Sequence, residues 1–254
     1  MGGVTMNTDQ EVMQRATIPT AQRVYEFRPE GLRLSLMTMA HVHPAISATF
    51  GFQAAQIGTP SPVAGPVPLT IPPGLVFNYG ATRPIDGVPT PIRFLHIEAR
   101  RIVFNVAGPS SAIDVAFEQL LEAVSAFPSP DGSPVIDVPE RVQDYSEITR
   151  PAVYRPEALL SAQLRELIQP AFQEAYPEVA IAMSPSIRVT MFNPNGEYDG
   201  LPQTGTGIMF AYELRAGSRF DDQTYFSAAS LPTDAHLALR DRVEAVLREQ
   251  SYVV

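Results

Sequence analysis

The sequence contains no cysteine, no lysine and no tryptophan, so each of its 18 basic residues is an arginine. Without cysteine the chain has no disulfide, no thiolate nucleophile and no cysteine ligand for zinc or an iron–sulfur cluster. Without lysine it has no Schiff-base residue, no anchor for pyridoxal phosphate and no P-loop lysine. These absences exclude several large classes of enzyme.

The charge and hydropathy of the chain restrict its partners. The net charge is -9 and the isoelectric point is about 4.9. Such a protein repels phosphate backbones and anionic membrane surfaces, so we expect neither a nucleic acid nor a membrane as its partner. No apolar run reaches the roughly 18 residues of a membrane-spanning helix, and Met1–Arg15 lacks the apolar core of a secretory signal. We therefore predict a cytoplasmic protein that binds a protein partner or associates with itself.

Apolar periodicity predicts an α+β fold in which an antiparallel sheet is covered by helices mainly on one face. A loose N-terminal arm is expected over residues 1–22, followed by a first α+β half over 23–127. Six prolines make 58–74 an extended loop within that half. A polar connection over 128–155 leads to a second α+β half over 156–254.

Individual elements follow from the same patterns. Alternating Leu32, Leu34 and Leu36 predict a strand that runs to His43 and ends before Pro44. Apolar stripes predict helices over 111–126, from Pro156 through an interrupting Pro170, and over 233–249. The first of these helices begins with a capping pair of Ser111 and Asp114. Further strands are predicted at 75–79, 92–98, 101–107, 187–192, 208–214 and 224–228.

The two halves resemble each other in sequence. Shifting the chain by 122 positions aligns Val103–Val124 with Tyr225–Val246 without a gap, and places Phe104 on Phe226. Each half therefore reads as two strands followed by a helix. We predict two pseudo-repeated β-β-α halves, each with a helix that covers the apolar face of its hairpin.

The histidines supply the candidate metal site. His41 and His43 have the spacing that places two imidazoles on one face of a strand, and His96 with Glu98 repeats it. Three imidazoles and a carboxylate suit Zn, Fe or Mn, and cupins use such a His-x-His pair, although their remaining spacing is not met here. In the other interpretation, His41 and His43 close a strand near solvent while His96 and Glu98 pair locally, and no cofactor is bound.

Three further motifs are given structural interpretations. His236, near the start of the last helix, is predicted to pack beneath the second hairpin. Asn193–Gly200 is predicted to be a turn, because it lacks the length and the final glutamate of a calcium loop. Gly205–Gly207 precedes a strand and not a helix, so it is not a dinucleotide-binding loop.

The strand Arg101–Val106, the helix 111–126 and the stretch Glu140–Ile148 together resemble a sporadically distributed bacterial protein family of unknown function. Its members carry a strand, a helix and then an Arg-Tyr-Ile-Asn-like strand, where this chain has Asp-Tyr-Ser-Glu at 144–147. They end in a helix with a histidine near its start, as His236 is here. The resemblance implies no activity.

These observations favour a non-catalytic binding or assembly protein that acts through protein partners. The alternative is a metal-dependent enzyme or metal sensor that uses His41, His43, His96 and Glu98. The sequence leaves open whether the chain is an enzyme.

Overall fold

The structure is a computed structural model that describes residues 17–37, 41–58, 74–127, 129–151, 160–178, 185–191, 208–215 and 224–251. These residues form nine strands and five helices, and every strand pair with a defined register is antiparallel. The α+β fold with an antiparallel sheet is therefore confirmed.

The elements have the following bounds. The strands are β1 Thr17–Glu26, β2 Ala54–Gly58, β3 Gly74–Ala81, β4 Pro91–Ile97, β5 Arg101–Val106, β6 Arg141–Pro151, β7 Ile187–Met191, β8 Ile208–Leu214 and β9 Thr224–Ala229. The helices are α1 Leu34–Met37, α2 Val42–Phe50, α3 Ser111–Ser125, α4 Ala162–Ala175 and α5 Thr233–Ser251.

The chain divides into two compact units. The first unit comprises Thr20–Ser146 and Leu231–Thr233, and its strands follow the order β2-β3-β4-β5-β1-β6. The second unit comprises Met1–Pro19, Glu147–Ser230 and Asp234–Val254, with the strand order β6-β9-β8-β7. The division falls between Ser146 and Glu147, so strand β6 contributes to both units.

One face of the sheet in the first unit carries the apolar core. Phe77 on β3 lies opposite Leu95 on β4, which lies opposite Phe104 on β5. All three side chains are fully buried, which stabilises the unit by roughly 1.5–3 kcal/mol each. The helices add Val42, Ile46 and Phe50 from α2, and Ile113, Ala116, Leu120 and Val124 from α3. The predicted helix over 111–126 and its buried stripe are confirmed.

The predicted strand that ends at His43 is wrong, because this segment contains helices α1 and α2. Pro44 is the third residue of α2 and does not end a strand. A helix tolerates proline in its first turn, where the backbone N–H groups have no partner within the helix. Helix α2 ends at Gly51, whose φ of 62° is in the left-handed region and whose N–H donates to Ala48 O.

Two strands lie where the sequence predicted none. Strand β1 begins at Thr17, within the predicted N-terminal arm, and residues 1–16 of that arm lie outside the described residues. Strand β6 lies within the predicted connection 128–155. Of the predicted loop 58–74, only the two end residues are described, and both belong to strands.

Strand β1 was missed because a buried arginine interrupts its apolar pattern. Arg23 is buried on the helical face of the sheet, opposite Phe104. Its Nε donates to Asp144 Oδ1 at 2.7 Å, and its Nη1 pairs with Asp114. Burial works against the charged guanidinium, but hydrogen bonds with Tyr25 and Asp144 raise the pKa of Arg23. Asp114, predicted as a capping residue, thus ties α3 to the sheet.

In the second unit a buried arginine replaces much of the apolar core. The Arg240 side chain on α5 is fully buried, and its guanidinium carries five N–H donors. Every donor has an acceptor in this unit, so α5 is fixed against β6 and β9 in both position and direction. The acceptors are Glu244 Oε1 at 2.8 Å, Ile148 O at 2.8 Å, Ser227 Oγ at 3.1 Å, Tyr225 O at 3.1 Å and Arg150 O at 3.2 Å.

Glu244 is the centre of the charges that accompany Arg240. Its carboxylate also accepts from Arg150 Nη2 at 2.7 Å and from Tyr212 Oη at 3.3 Å. Burial opposes the charged form of Arg150, but bonds with Glu244 and Asp241 and their negative charge raise its pKa. Burial, together with the Glu244 carboxylate, also raises the pKa of Tyr212 well above its usual value. The charges of Arg150 and Arg240 are thus matched by the buried Glu244 and the partly exposed Asp241.

The sequence places Leu239, Val243, Val246 and Leu247 on one apolar face of the last helix, but α5 buries a different face. Leu247 is buried, but Val246 is 53% exposed, and Leu239 and Val243 are only half-buried. The buried positions carry Thr233, His236, Arg240, Glu244 and Leu247. His236 is fully buried with its ring edge-on to Phe210, as the predicted packing beneath the hairpin requires. Apolar periodicity missed this face because charged residues occupy its middle.

We predict that Arg240→Leu lowers the free energy of unfolding by about 3–5 kcal/mol, because it leaves Glu244 without its helical partner and several buried acceptors without donors. The matched control is Arg242→Leu at an exposed position of the same helix, with an expected change within about 0.5 kcal/mol. Urea unfolding followed by tyrosine fluorescence measures both. Equal losses in the two variants would contradict the role given to Arg240.

Candidate functional site

His96 and Glu98 form a buried pair at the end of strand β4. The His96 side chain belongs to a residue only 4% exposed, and its Nδ1 lies 3.2 Å from Glu98 Oε1. The backbone N–H of Glu98 donates to Arg101 O at 2.8 Å, which closes the β4–β5 hairpin and holds the carboxylate in place. The two residues share one face of the strand, as their spacing predicts. The structure therefore brings together two of the four predicted metal ligands.

The second ring nitrogen of His96 is the more unusual feature. Nε2 is buried and has no hydrogen-bond partner among the described residues. A Cβ added at Gly74 would lie 3.1 Å from this nitrogen and would clash with the carbonyl oxygen of Ile97. Gly74 thus lets the backbone of β3 pass close to the imidazole. In the neutral tautomer that carries its proton on Nδ1, beside the Glu98 carboxylate, the lone pair of Nε2 is available to a ligand.

Asn105 places a second unpartnered acceptor on the same face. On strand β5, Val103 lies opposite His96, and Asn105 projects to the same side two residues further on. Its Nδ2 donates to Gln22 Oε1 at 3.2 Å, whereas its Oδ1 is buried without a partner. Sequence analysis missed this residue. A polar residue between Phe104 and Val106 in a buried strand was the only signal for it.

His41 and His43 lie elsewhere in the first unit. His41 precedes helix α2, with its ring 5.4 Å from that of Phe127, and the ring of His43 lies 5.0 Å from that of Phe77. Phe77 follows Val76, the cross-strand neighbour of His96, so Phe77 and His96 project to opposite faces of the sheet. Among the described residues, no group of three or more His, Asp or Glu side chains is arranged to hold a metal ion.

A different feature distinguishes the second unit: an uncovered apolar stripe on helix α4. The helix begins after Ser161, whose Oγ accepts from Leu164 N at 3.3 Å, and it continues through Pro170 without splitting. Along one side lie Leu164, Leu167, Ile168, Ala171, Phe172 and Ala175, at the spacing of an amphipathic helix. The sequence predicted the part of this stripe from Leu164 to Phe172, together with Leu160, which precedes the helix.

The stripe is directed at solvent and not at a core. Leu167 is 71% exposed, Phe172 54% and Leu164 47%, and only Ile168 is half-buried. Tyr176, just after the helix, is 57% exposed, and Val189 on the edge strand β7 is 45% exposed. Half of the large exposed apolar side chains of the described residues thus lie between 160 and 191. Contiguous exposed apolar patches often mark interaction surfaces in folded proteins.

The opposite side of α4 is polar. Glu166 and Gln173 lie there and are exposed, so the helix is clearly divided into an apolar and a polar side. Sequence periodicity predicts this division into two sides, but it does not predict whether the apolar side is buried or exposed. No helix within the described residues combines the length and apolar character needed to cross a bilayer.

Comparison of the chain with models of protein families finds no match, and comparison with curated proteins finds none either. The resemblance to a bacterial family of unknown function therefore stays a prediction.

Proposed function

We propose that this chain is a non-catalytic binding or assembly protein that acts through protein partners, and that the apolar stripe of α4 is the surface it uses. The exposure of Leu164, Leu167 and Phe172 is the observation that carries the proposal. An isolated helix of 14 residues is marginal in water unless its apolar side is covered. A partner that covers the stripe supplies the missing contacts. Cytoplasmic localisation is part of the proposal.

A comparison of the two halves supports this assignment. We infer that they are pseudo-repeats, because in each half a strand, a helical segment, further strands and a last helix follow in the same order. Helix α4 then corresponds to α2. In α2 the apolar residues Val42, Ile46 and Phe50 are buried in the core of the first unit, whereas those of α4 are exposed. The difference favours an external partner for α4.

The register of the proposed repeat differs from the predicted shift of 122 positions. A shift of 123 gives β5 and β9 the same sequence of buried and half-buried residues, and places buried Phe104 on buried Ser227. The same shift matches Ser110 with Thr233. These two residues, both in the first unit, exchange hydrogen bonds: each backbone N–H donates to the other's hydroxyl at 2.9 Å.

The proposal is tested by the mass of the protein isolated under native conditions. Light scattering is expected to give a particle heavier than the 27.7 kDa of one chain, made of further copies or of a second protein. Leu167→Glu is expected to reduce it to one chain, because a charge in the stripe opposes burial. The control is Gln173→Glu, which adds the same charge on the polar side and leaves the mass unchanged. A wild-type protein that is monomeric throughout, with nothing co-purifying, contradicts the proposal.

A second candidate function is a metal site in the first unit, and the unpartnered Nε2 of His96 favours it. Nε2 is a buried atom without a hydrogen-bond partner among the described residues, and coordination to a divalent cation such as Zn, Fe or Mn satisfies it. Glu98 then accepts a hydrogen bond from Nδ1 of His96 and orients the ring, as carboxylates commonly do for metal-binding histidines. His41 and His43 contribute to such a site only if they move from Phe127 and Phe77.

Elemental analysis of protein made without a histidine tag, in medium with Zn, Fe and Mn, tests the second candidate. The site predicts stoichiometric metal that is lost in His96→Phe and retained in His41→Phe, which lies away from it. Less than about a tenth of an ion per chain in the wild type ends the metal hypothesis. It leaves the proposed assembly function in place, because that function depends on a different unit.

A further inference from the structure

We infer that the stripe of α4 is covered by the α4 stripe of a second copy of this chain, with the two helices antiparallel. The inference rests on the proposed function and names its partner. A second copy presents the same apolar surface, so each stripe buries the other in an isologous contact. The surface that such a contact needs is defined by Leu164, Leu167, Ile168, Ala171 and Phe172.

The distribution of charge along α4 favours the antiparallel orientation. The helix has no acidic residue in its first turn and no basic residue in its last, where Glu174 is exposed. A helix carries partial positive charge at its N-terminus and partial negative charge at its C-terminus, so Glu174 is at the unfavourable end of its own helix. In an antiparallel pair, Glu174 of each copy lies beside the N-terminus of the other. The second copy thus removes an unfavourable arrangement that one chain contains.

The positions of the side chains also suit a twofold axis. An axis at Ile168, the middle of the stripe, places Leu164 of one helix opposite Phe172 of the other. Ala171 provides a small side chain in the stripe, which lets the two helix axes approach to the roughly 8–10 Å usual for packed helices. Glu166 and Gln173 remain on the outer sides, in water. The Glu166 carboxylates of the two helices therefore do not face each other.

The contact is small, and this determines how it behaves. One helix against another buries less surface than the roughly 1,200–2,000 Å² of a standard interface. We therefore expect a reversible dimer whose population rises with protein concentration. Sedimentation of the unmodified wild type is expected to shift from 27.7 kDa towards twice that mass as the concentration is raised. A different protein on the stripe gives no such dependence for the purified chain.

The natural absence of cysteine makes the geometry directly testable, because any disulfide then comes from introduced residues. Chains carrying Leu164→Cys are mixed with chains carrying Phe172→Cys and a mass tag, and are oxidised under native conditions. The antiparallel pair predicts that disulfides between positions 164 and 172 exceed those between equal positions by about tenfold. The control replaces Leu164→Cys with Glu166→Cys, on the outer side of the helix, and is expected to give at least tenfold less product.

Each other result overturns the inference. Disulfides mainly between equal positions indicate parallel helices, and a yield no higher than that of the Glu166→Cys control indicates no contact. A chain that sediments at 27.7 kDa at every concentration has no second copy on the stripe. If that chain is isolated from cells with another protein, and Leu167→Glu removes it, the proposed function stands and only the second copy is wrong. If nothing accompanies it, both fail.

Discussion

Burial of the apolar side of each helix is the constraint on which the fold of this chain depends. Helices this short are marginal in water by themselves, so each must be stabilised by what it packs against. In the first unit, α2 and α3 bury Ile46, Phe50 and Leu120 against a row of apolar side chains on the sheet. Helix α4 makes no comparable use of Leu164, Leu167 and Phe172. The same requirement that explains the first unit is thus not met by α4 in the second, where apolar side chains stay exposed.

The second unit meets the requirement for α5 in another way. Arg240 directs five donors at five acceptors on β6, β9 and α5, and Glu244 joins it to Arg150. Apolar contacts resist a small shift of the helix only weakly. Hydrogen bonds to particular acceptor atoms on the strands are lost when the helix slides or rotates. The buried charges thus define one position for α5, at the cost of desolvation.

The sequence predicts where the helices and strands of this fold lie better than it predicts what packs against them. Periodicity found α3, β4 and β5, since apolar residues alone define their buried sides. It failed at β1, where Arg23 is buried, and at α2, where Pro44 marks the start of a helix and not the end of a strand. His96 and Glu98 were paired correctly by their spacing. The exposure of the α4 stripe was beyond prediction, because a pattern shows that a side is apolar but not what covers it.

The central claim is that the apolar side of α4 is uncovered in the single chain and covered in the assembly. Amide hydrogen exchange over residues 162–175, followed as the protein is concentrated, tests it most directly. The account predicts fast exchange in dilute solution and increasing protection at higher concentration, while the amides of β5, already paired within the first unit, exchange slowly at every concentration. Protection of α4 that is already complete in a dilute, monomeric sample would contradict the account.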